Sequence, residues 1–273
     1  MPAQAVQQSA SERVLLREQH GGVAVLTLNR PQARNSLSEA LLDALANELT
    51  AIAANKKIRA VVIAASGNVF CAGHDLKELT ARRADPDQGR AYFAQLMEQC
   101  SGVMQAIVRL PQPVIAAVQG VATAAGCQMV ASCDLAVASE KAGFCTPGVD
   151  IGLFCSTPMV ALSRDVPHKH AMEMLLTGDI ITAEHAHRIG LINRVIAPGT
   201  ERDEAIALAS KIAGKSATAI RIGKEAFYRQ SAMNLTDAYR HTAAVMVENM
   251  LEFDAKEGIG AFIEKRSPTW ENH

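Results

Sequence analysis

Apolar positions change their period several times along this chain. Val14 to Glu18 and Val23 to Leu28 alternate or run apolar on either side of Gly21-Gly22, which predicts a hairpin. Asn29-Arg30-Pro31 stops it. Leu42, Leu45, Leu49 and Ile52 then recur at three and four residues, predicting an amphipathic helix to about Ala54. Ahead of it, Ser36-Leu37-Ser38-Glu39 has the spacing of a capping box. Arg59 to Ala65 reads as a buried strand and Gly67-Asn68 as a turn. Arg82 to Arg90, charged and containing Pro86, reads as a mobile loop. Phe93, Leu96, Met97, Val103, Met104 and Ile107 place a helix over Tyr92 to Leu110, closed by Pro111 and Pro113. Val114 to Val118 is a strand, Ala124 to Cys133 a helix and Leu135 to Ala138 a strand. Strand, turn and helix recur to about Ile196, so an α/β architecture with parallel pairing is predicted.

Beyond that point the pattern changes. Glu201 to Ala213, Ala217 to Gln230 and Leu235 to Asp254 are helical runs with no strand between them. Glu257-Gly258 breaks the pattern and Ala261 to Arg266 closes it. A boundary near Pro198-Gly199-Thr200 divides a core, 1–199, from a helical region, 200–273. Such helices cannot bury their apolar faces alone, so packing on the core or on another subunit is implied.

Composition narrows the choices. The 273 residues are 49% hydrophobic and 20% charged with a net charge of −1, which gives no footprint for nucleic acid or a membrane surface. Aromatics at 4% do not supply base-stacking platforms. Met1 to Glu12 is polar and lacks a basic start followed by an apolar core, so it does not read as a secretory signal. Glu12 and Glu18 beside Arg13 and Arg17 do not read as a mitochondrial presequence. The expected location is cytoplasmic, or mitochondrial if the protein is eukaryotic with a presequence not present here. Cys71, Cys100, Cys127, Cys133, Cys145 and Cys155 form no CxxC pair and read as reduced, buried thiols. His168/His170 and His185/His187 are spaced by two, point different ways on a helix and read as solvated, so no metal is expected.

The stretches that carry chemistry are Val69 to Leu79 and Gly120 to Gln128. Each is an apolar strand-like run that breaks at small residues and opens into a helix. A helix start leaves N–H groups without intrahelical acceptors. Two starts facing one point can hold a developing negative oxygen, such as that of a thioester.

Leu28-Asn29-Arg30-Pro31 with Asn35, Phe70 to Leu79, Pro113 to Asp134 and Gly258 to Arg266 together resemble the enoyl-CoA hydratase/isomerase (crotonase) family over nearly the whole chain. Phe144 to Pro158 and Glu173 to Gly178 resemble one subgroup more closely. The resemblance implies a spiral of repeated ββα units and a C-terminal helical region that builds homotrimers, often paired into hexamers. It implies an acyl-CoA ligand, with coenzyme A entering as part of the substrate and no separate cofactor. By position the oxyanion amides are those of His74 and Ala125. The adenosine diphosphate part falls near Arg30, Arg34, Ala72, Asp75, Leu76 and Lys77, covered by Phe262 and Lys265 from a neighbouring subunit. Lysine suits phosphate as a compact point charge.

Hydration of a double bond needs a base for water and an acid for the alpha carbon. The family hydratases use two glutamates there, and this chain has Gln128 and Gly148 at those positions. Ser156, where other branches place an acid, is not a carboxylate. Asp150 is the nearest acid to Gly148; two residues along a strand return a side chain to the same face, but not along a loop. His74 titrates near neutrality and is the other candidate. A nucleophilic role for Cys127, Cys145 or Cys155 needs an electropositive neighbour. Phe144, Leu153, Phe154 and Met159 suggest an apolar acyl lining. Three functions stay open. One is a hydratase or isomerase-class enzyme of fatty acyl-CoA metabolism. The second is a non-catalytic acyl-CoA-binding oligomer with a carrier or regulatory role. The third is a thioesterase using water held by Gln128 or His74.

Overall fold

The computed structural model describes residues 13–271; the Met1 to Glu12 segment assessed above for targeting lies outside them. The chain winds through successive turns. The first is β1 (Leu15–His20), β2 (Val23–Leu28) and α1 (Glu39–Ala53); the second is β3 (Ala60–Ala65), β4 (Val69–Cys71), α2 (Leu76–Ala81) and α3 (Arg90–Arg109). The third is β5 (Val114–Val118), β6 (Val121–Thr123) and α4 (Ala125–Ser132); the fourth is β7 (Leu135–Ser139), β8 (Gly143–Cys145), α5 (Pro158–Asp165) and α6 (His168–Thr177). Then follow β9 (Ile181–Thr182), α7 (Ala183–Arg188), β10 (Arg194–Ile196), α8 (Glu201–Ala213), α9 (Ala217–Gln230), α10 (Leu235–Leu251) and α11 (Phe253–Ile263).

In the second to fourth turns the first strand joins one sheet and the second strand another. The larger sheet has the order β1-β2-β3-β5-β7-β10 and the smaller β4-β6-β8-β9. All neighbours pair in parallel except β1 with β2 and β8 with β9. This is the repeated ββα winding expected from the resemblance.

Alternation along the strands of the large sheet feeds two apolar layers. Ala24, Leu26 and Leu28 of β2 and Val61 and Ile63 of β3 face the main core with the leucines of α1. Val23, Val25, Ala60 and Val62 face the other way, onto Ala205 and Ala209 of α8. Both faces are covered, which is why these strands read as continuous apolar runs. The boundary at 199/200 therefore marks a change of element type, while α8 beyond it completes the core.

Three local expectations are corrected. The N-cap of α1 is Ser38, which accepts the Leu41 N–H at 3.3 Å, rather than Ser36. Leu37 forms a parallel bridge with His74, so the chain is still extended there and the Ser36 hydroxyl turns to Asp75. The 82–90 stretch is not an open loop. Arg82–Ala84 is a 3-10 turn, and Asp87 caps α3 by accepting the Ala91 N–H at 2.8 Å. Finally, the C-terminal break falls at Glu252, and α11 runs through Glu257-Gly258. Gly258 makes room for an indole: a Cβ there would lie 3.0 Å from the Trp270 ring.

Two ion pairs with little exposure lock the winding. Lys224 of α9 donates to Asp134 at 2.7 Å and to the carbonyls of Gln112 and Ile107, while Tyr228 donates to the same carboxylate at 2.9 Å. Asp75 accepts from Arg30 at 2.9 Å, from the Ser36 hydroxyl and from the Lys77 N–H, so it both pairs and caps α2. Burial raises the Asp75 pKa, but the hydrogen bonds from Arg30 and the Lys77 amide outweigh it and hold the carboxyl below its ordinary range.

Lys224→Met strands the Asp134 carboxylate, and the expected loss is about 3–5 kcal/mol in urea unfolding. Because the folded pKa of Asp75 is depressed, its contribution is present above the ordinary carboxylate value of 3.8 and is lost as pH falls through the folded value. Thermal unfolding of wild type and Asp75→Asn from pH 6 down should therefore converge toward acid, with the gap widest near neutrality.

Candidate active site

The smaller sheet builds the site. β4 and β6 run parallel with Val69 opposite Val121 and Cys71 opposite Ala122, so both strands end at one edge. Gly73 follows β4 with φ 81°, a left-handed conformation that costs glycine nothing. A Cβ on it would lie 3.0 Å from Ala124 Cβ and 3.4 Å from the Ala125 nitrogen, so the two chain reversals touch. Gly126 is tighter still: its Cβ would stand 2.2 Å from the Cys71 carbonyl oxygen. Ala124, which joins β6 to α4, sits at φ 51°, ψ −118°. That is strained backbone for a residue with a Cβ, of order 1–3 kcal/mol, and such strain gathers at functional sites.

The amides named from the sequence lie at this junction. Leu37 donates to the Gly73 carbonyl at 2.7 Å and accepts the Asp75 N–H, which leaves the His74 N–H between them unused. Ala125 is the first residue of α4, and its N–H has no intrahelical acceptor. Neither N–H donates to any group among the described residues.

These residues open onto a cavity of about 1310 Å³. Arg30, Arg34, Ala72, Asp75, Leu76 and Lys77 form one wall, and Ile151, Leu153 and Phe154 another. Arg30 and Asp75 are occupied with each other, so Arg34 and the exposed Lys77 are the cations in that wall left for an anionic ligand. Phe262, 84% exposed, and Lys265 lie outside the wall of their own chain's cavity. Phe144 is fully buried in the core, and Met159 is absent from the wall, so of the expected acyl lining only Leu153 and Phe154 face the cavity. Arg83 and Phe93, stacked at 5.7 Å, also line it. The sequence reading placed Arg83 in a loop and Phe93 on a helix without assigning either to the site, although an aromatic pair just inside a helix start was a signal.

The proton-transfer positions are informative. Pro147–Ile151 is a 3-10 helix, so Asp150 is turned about 240° from Gly148 and does not share its face. Asp150 is exposed, in the cavity wall, with its carboxylate leaning on Gly178. Gly148 leaves no empty space: a Cβ there would lie 3.0 Å from both Cys155 Sγ and the Leu153 carbonyl. The backbone folds back over it, with the Leu153 N–H donating to the Gly148 carbonyl at 2.9 Å. Gln128 is 5% exposed with its Oε1 unpartnered, and it lines a second cavity rather than the first.

Both ring nitrogens of His74 are buried without a partner, and burial pushes the imidazole pKa down, so the ring is neutral at neutral pH. Burial pushes the thiols of Cys127, Cys145 and Cys155 up, away from thiolate. The Ser156 hydroxyl donates to the Phe154 carbonyl at 3.3 Å with no base beside it. His170 and His185, expected in solvent, pack their rings edge to face at 5.7 Å. Among the described residues no group of three or more His, Cys, Asp or Glu is placed to hold a metal.

The arrangement is thus two free amides at a strained junction, an apolar wall, the cations Arg34, Lys77 and Arg83, and no carboxylate pair. Comparison with known proteins bears on the family and the fold. The model of the enoyl-CoA hydratase/isomerase family matches residues 18–273. A Xenopus laevis relative named enoyl-CoA hydratase domain-containing protein 3, mitochondrial, is 47% identical over 94% of this chain and 85% of its own. The human protein of that name is 45% identical over 98% and 87%. A crystal structure of an enoyl-CoA hydratase from Mycobacterium smegmatis superposes with a TM-score of 0.90 at 52% identity, covering 95% of this chain and 99% of the other. The human domain-containing protein 3 structure also gives 0.90, at 46% identity over 94% and 100%. The chain belongs to the enoyl-CoA hydratase/isomerase family and has its crotonase fold.

Proposed function

We propose that this protein binds acyl-CoA thioesters and acts on them as a hydratase- or isomerase-class enzyme of fatty acyl-CoA metabolism, with the thioester oxygen held by the N–H groups of His74 and Ala125. The observation that carries the reading is the contact of the two reversals at Gly73 and Ala125, each ending in an unused amide. Donors fixed in a dry site stabilise an enolate-like oxygen without reorganising, and one such donor is worth about 10²–10³ in rate. The N-terminal end of α4 adds its dipole. Coenzyme A arrives with the substrate. Its phosphates fall to Lys77 and Arg34, and a neighbouring subunit brings Phe262 and Lys265 over them. As part of this reading the chain works in the cytoplasm.

A second reading is favoured by one specific observation. Gln128 cannot transfer a proton, position 148 is a glycine, and a Cβ there would crowd Cys155 and Leu153 at 3.0 Å. A binding oligomer with little chemistry would need no more than the amides. Trimers, or pairs of trimers, serve either reading. The C-terminal helices leave Leu235 74%, Tyr239 71% and Leu251 76% exposed, more apolar surface than a lone chain keeps.

Hydration of short trans-2-enoyl-CoA should be slow, by about 10²–10⁴-fold for each absent acid or base. A panel of acyl-CoAs read by mass spectrometry separates hydration, isomerisation, hydrolysis and mere binding in one experiment. Gln128→Glu with Gly148→Glu should not restore efficient hydration, because a Cβ at 148 presses at 3.0 Å on the Leu153 carbonyl and Cys155 Sγ. Turnover equal to an efficient hydratase that survives His74→Ala and Asp150→Asn would overturn this account of the site. Sedimentation should show a trimer or hexamer, and a stable monomer at micromolar concentration counts against the assembly.

A further inference from the structure

A second cavity, of about 840 Å³, lies between α3, α4, α5 and α9. Its position relative to the first is what matters. Thr157 belongs to the walls of both cavities. Gln128, in the second wall, stands one helical turn beyond Ala125, about 5 Å along the α4 axis. Thr157 and α4 thus stand between the two cavities, and an acyl chain whose thioester oxygen sits at the Ala125 amide has the second cavity about one helical turn beyond it.

The cavity is lined by the buried Met104 and Ala131 and by the exposed Val160, and its deeply buried polar side chains are Gln128, whose Oε1 has no partner, and Ser132, whose hydroxyl donates to the Gln128 carbonyl at 2.8 Å. The exposed part of the wall is rich in arginine. Arg109, Arg221 and Arg229 make no ion pair among the described residues, and Arg164 donates to the Val160 carbonyl at 2.6 Å. Asp165 and Glu225 are the carboxylates in the wall, so four guanidinium groups face two carboxylates. Lys224 and Tyr228 are already committed to Asp134 and add no free charge.

An apolar passage that ends at unpaired guanidinium groups fits a hydrocarbon chain that ends in an anion. Guanidinium is also the group best shaped for a carboxylate. We propose that the second cavity receives the distal end of the acyl group and that it selects acyl-CoAs whose chain terminates in a carboxylate. The proposal rests on the oxyanion reading above and names its substrate class.

The test is calorimetric binding to the assembled full chain, which needs no turnover. The probes are acetyl-CoA, octanoyl-CoA and the eight-carbon ω-carboxyacyl-CoA. The ω-carboxy ligand should bind about tenfold tighter than octanoyl-CoA at low salt, the worth of one charge-assisted hydrogen bond, and the gap should narrow as salt rises. Arg221→Gln with Arg229→Gln should abolish that gap while octanoyl-CoA binds as before. Val160→Trp, which fills the passage from an exposed position, should weaken both eight-carbon ligands and spare acetyl-CoA. Equal or weaker binding of the ω-carboxy ligand overturns the proposal, as does a gap that persists in the double variant or an unaltered Val160→Trp. If octanoyl-CoA binds without preference, only this inference falls. If neither octanoyl-CoA nor acetyl-CoA binds, the acyl-CoA reading falls with it.

Discussion

The close approach of α4 to the end of β4 is the constraint on which the rest depends. Gly126 and the Cys71 carbonyl can be neighbours only because no Cβ stands between them. Parallel pairing of β4 with β6 brings both strand ends to one edge, and each ends in a reversal that opens into a helix. In open parallel sheets ligands sit outside the carboxyl ends of the strands, and this small sheet follows that rule. Any residue larger than glycine at 126 would push α4 away and separate the Ala125 amide from the His74 amide. The strain at Ala124 is the local cost of the same junction, held in place by its N–H to the Cys145 carbonyl at 2.9 Å.

What the sequence disclosed follows from the length of each signal. Strands β2, β3 and β5 are buried on both faces and stand out as apolar runs. Strands β4, β6 and β8 have three residues each, too few for a period to show. The cap of α1 was misplaced by two residues because Ser36 and Ser38 both carry the right hydroxyl, and only the Leu37–His74 bridge decides between them. The two chain reversals were legible because close backbone approach leaves a trace of small residues, while His74 and Ala125 were named as the amides by the family resemblance. The surroundings of Gly148 were not legible. What fills its space comes from Leu153 and Cys155, through a fold-back that no local pattern announces.

The polar groups around the first cavity differ in what they offer chemically. The His74 imidazole is neutral and unpartnered, which is costly to bury and gives a weak base rather than an acid. The thiols stay protonated because burial disfavours the thiolate. Asp150 keeps its exposure and faces away from the Gly148 direction. Backbone donors for a developing negative oxygen are therefore better provided for at this site than proton transfer. Reactions that need only the first can proceed at such a site, and those that need a paired acid and base are disfavoured.

Helix α4 links the two halves of the argument. All eight of its residues are buried, an arrangement open to a short helix only when every side meets protein or a ligand. Its first residue supplies an amide to one cavity, while Gln128, Ala131 and Ser132 form a wall of the other. The opposite wall of that second cavity is α9, held in place by Lys224 and Tyr228 on Asp134. The ion pair that ties the helical region to the core thus also sets the width of the space beyond Gln128. A substitution that loosened α9 would alter the second cavity before it altered the His74 and Ala125 amides, because those amides depend on the small sheet and not on α9.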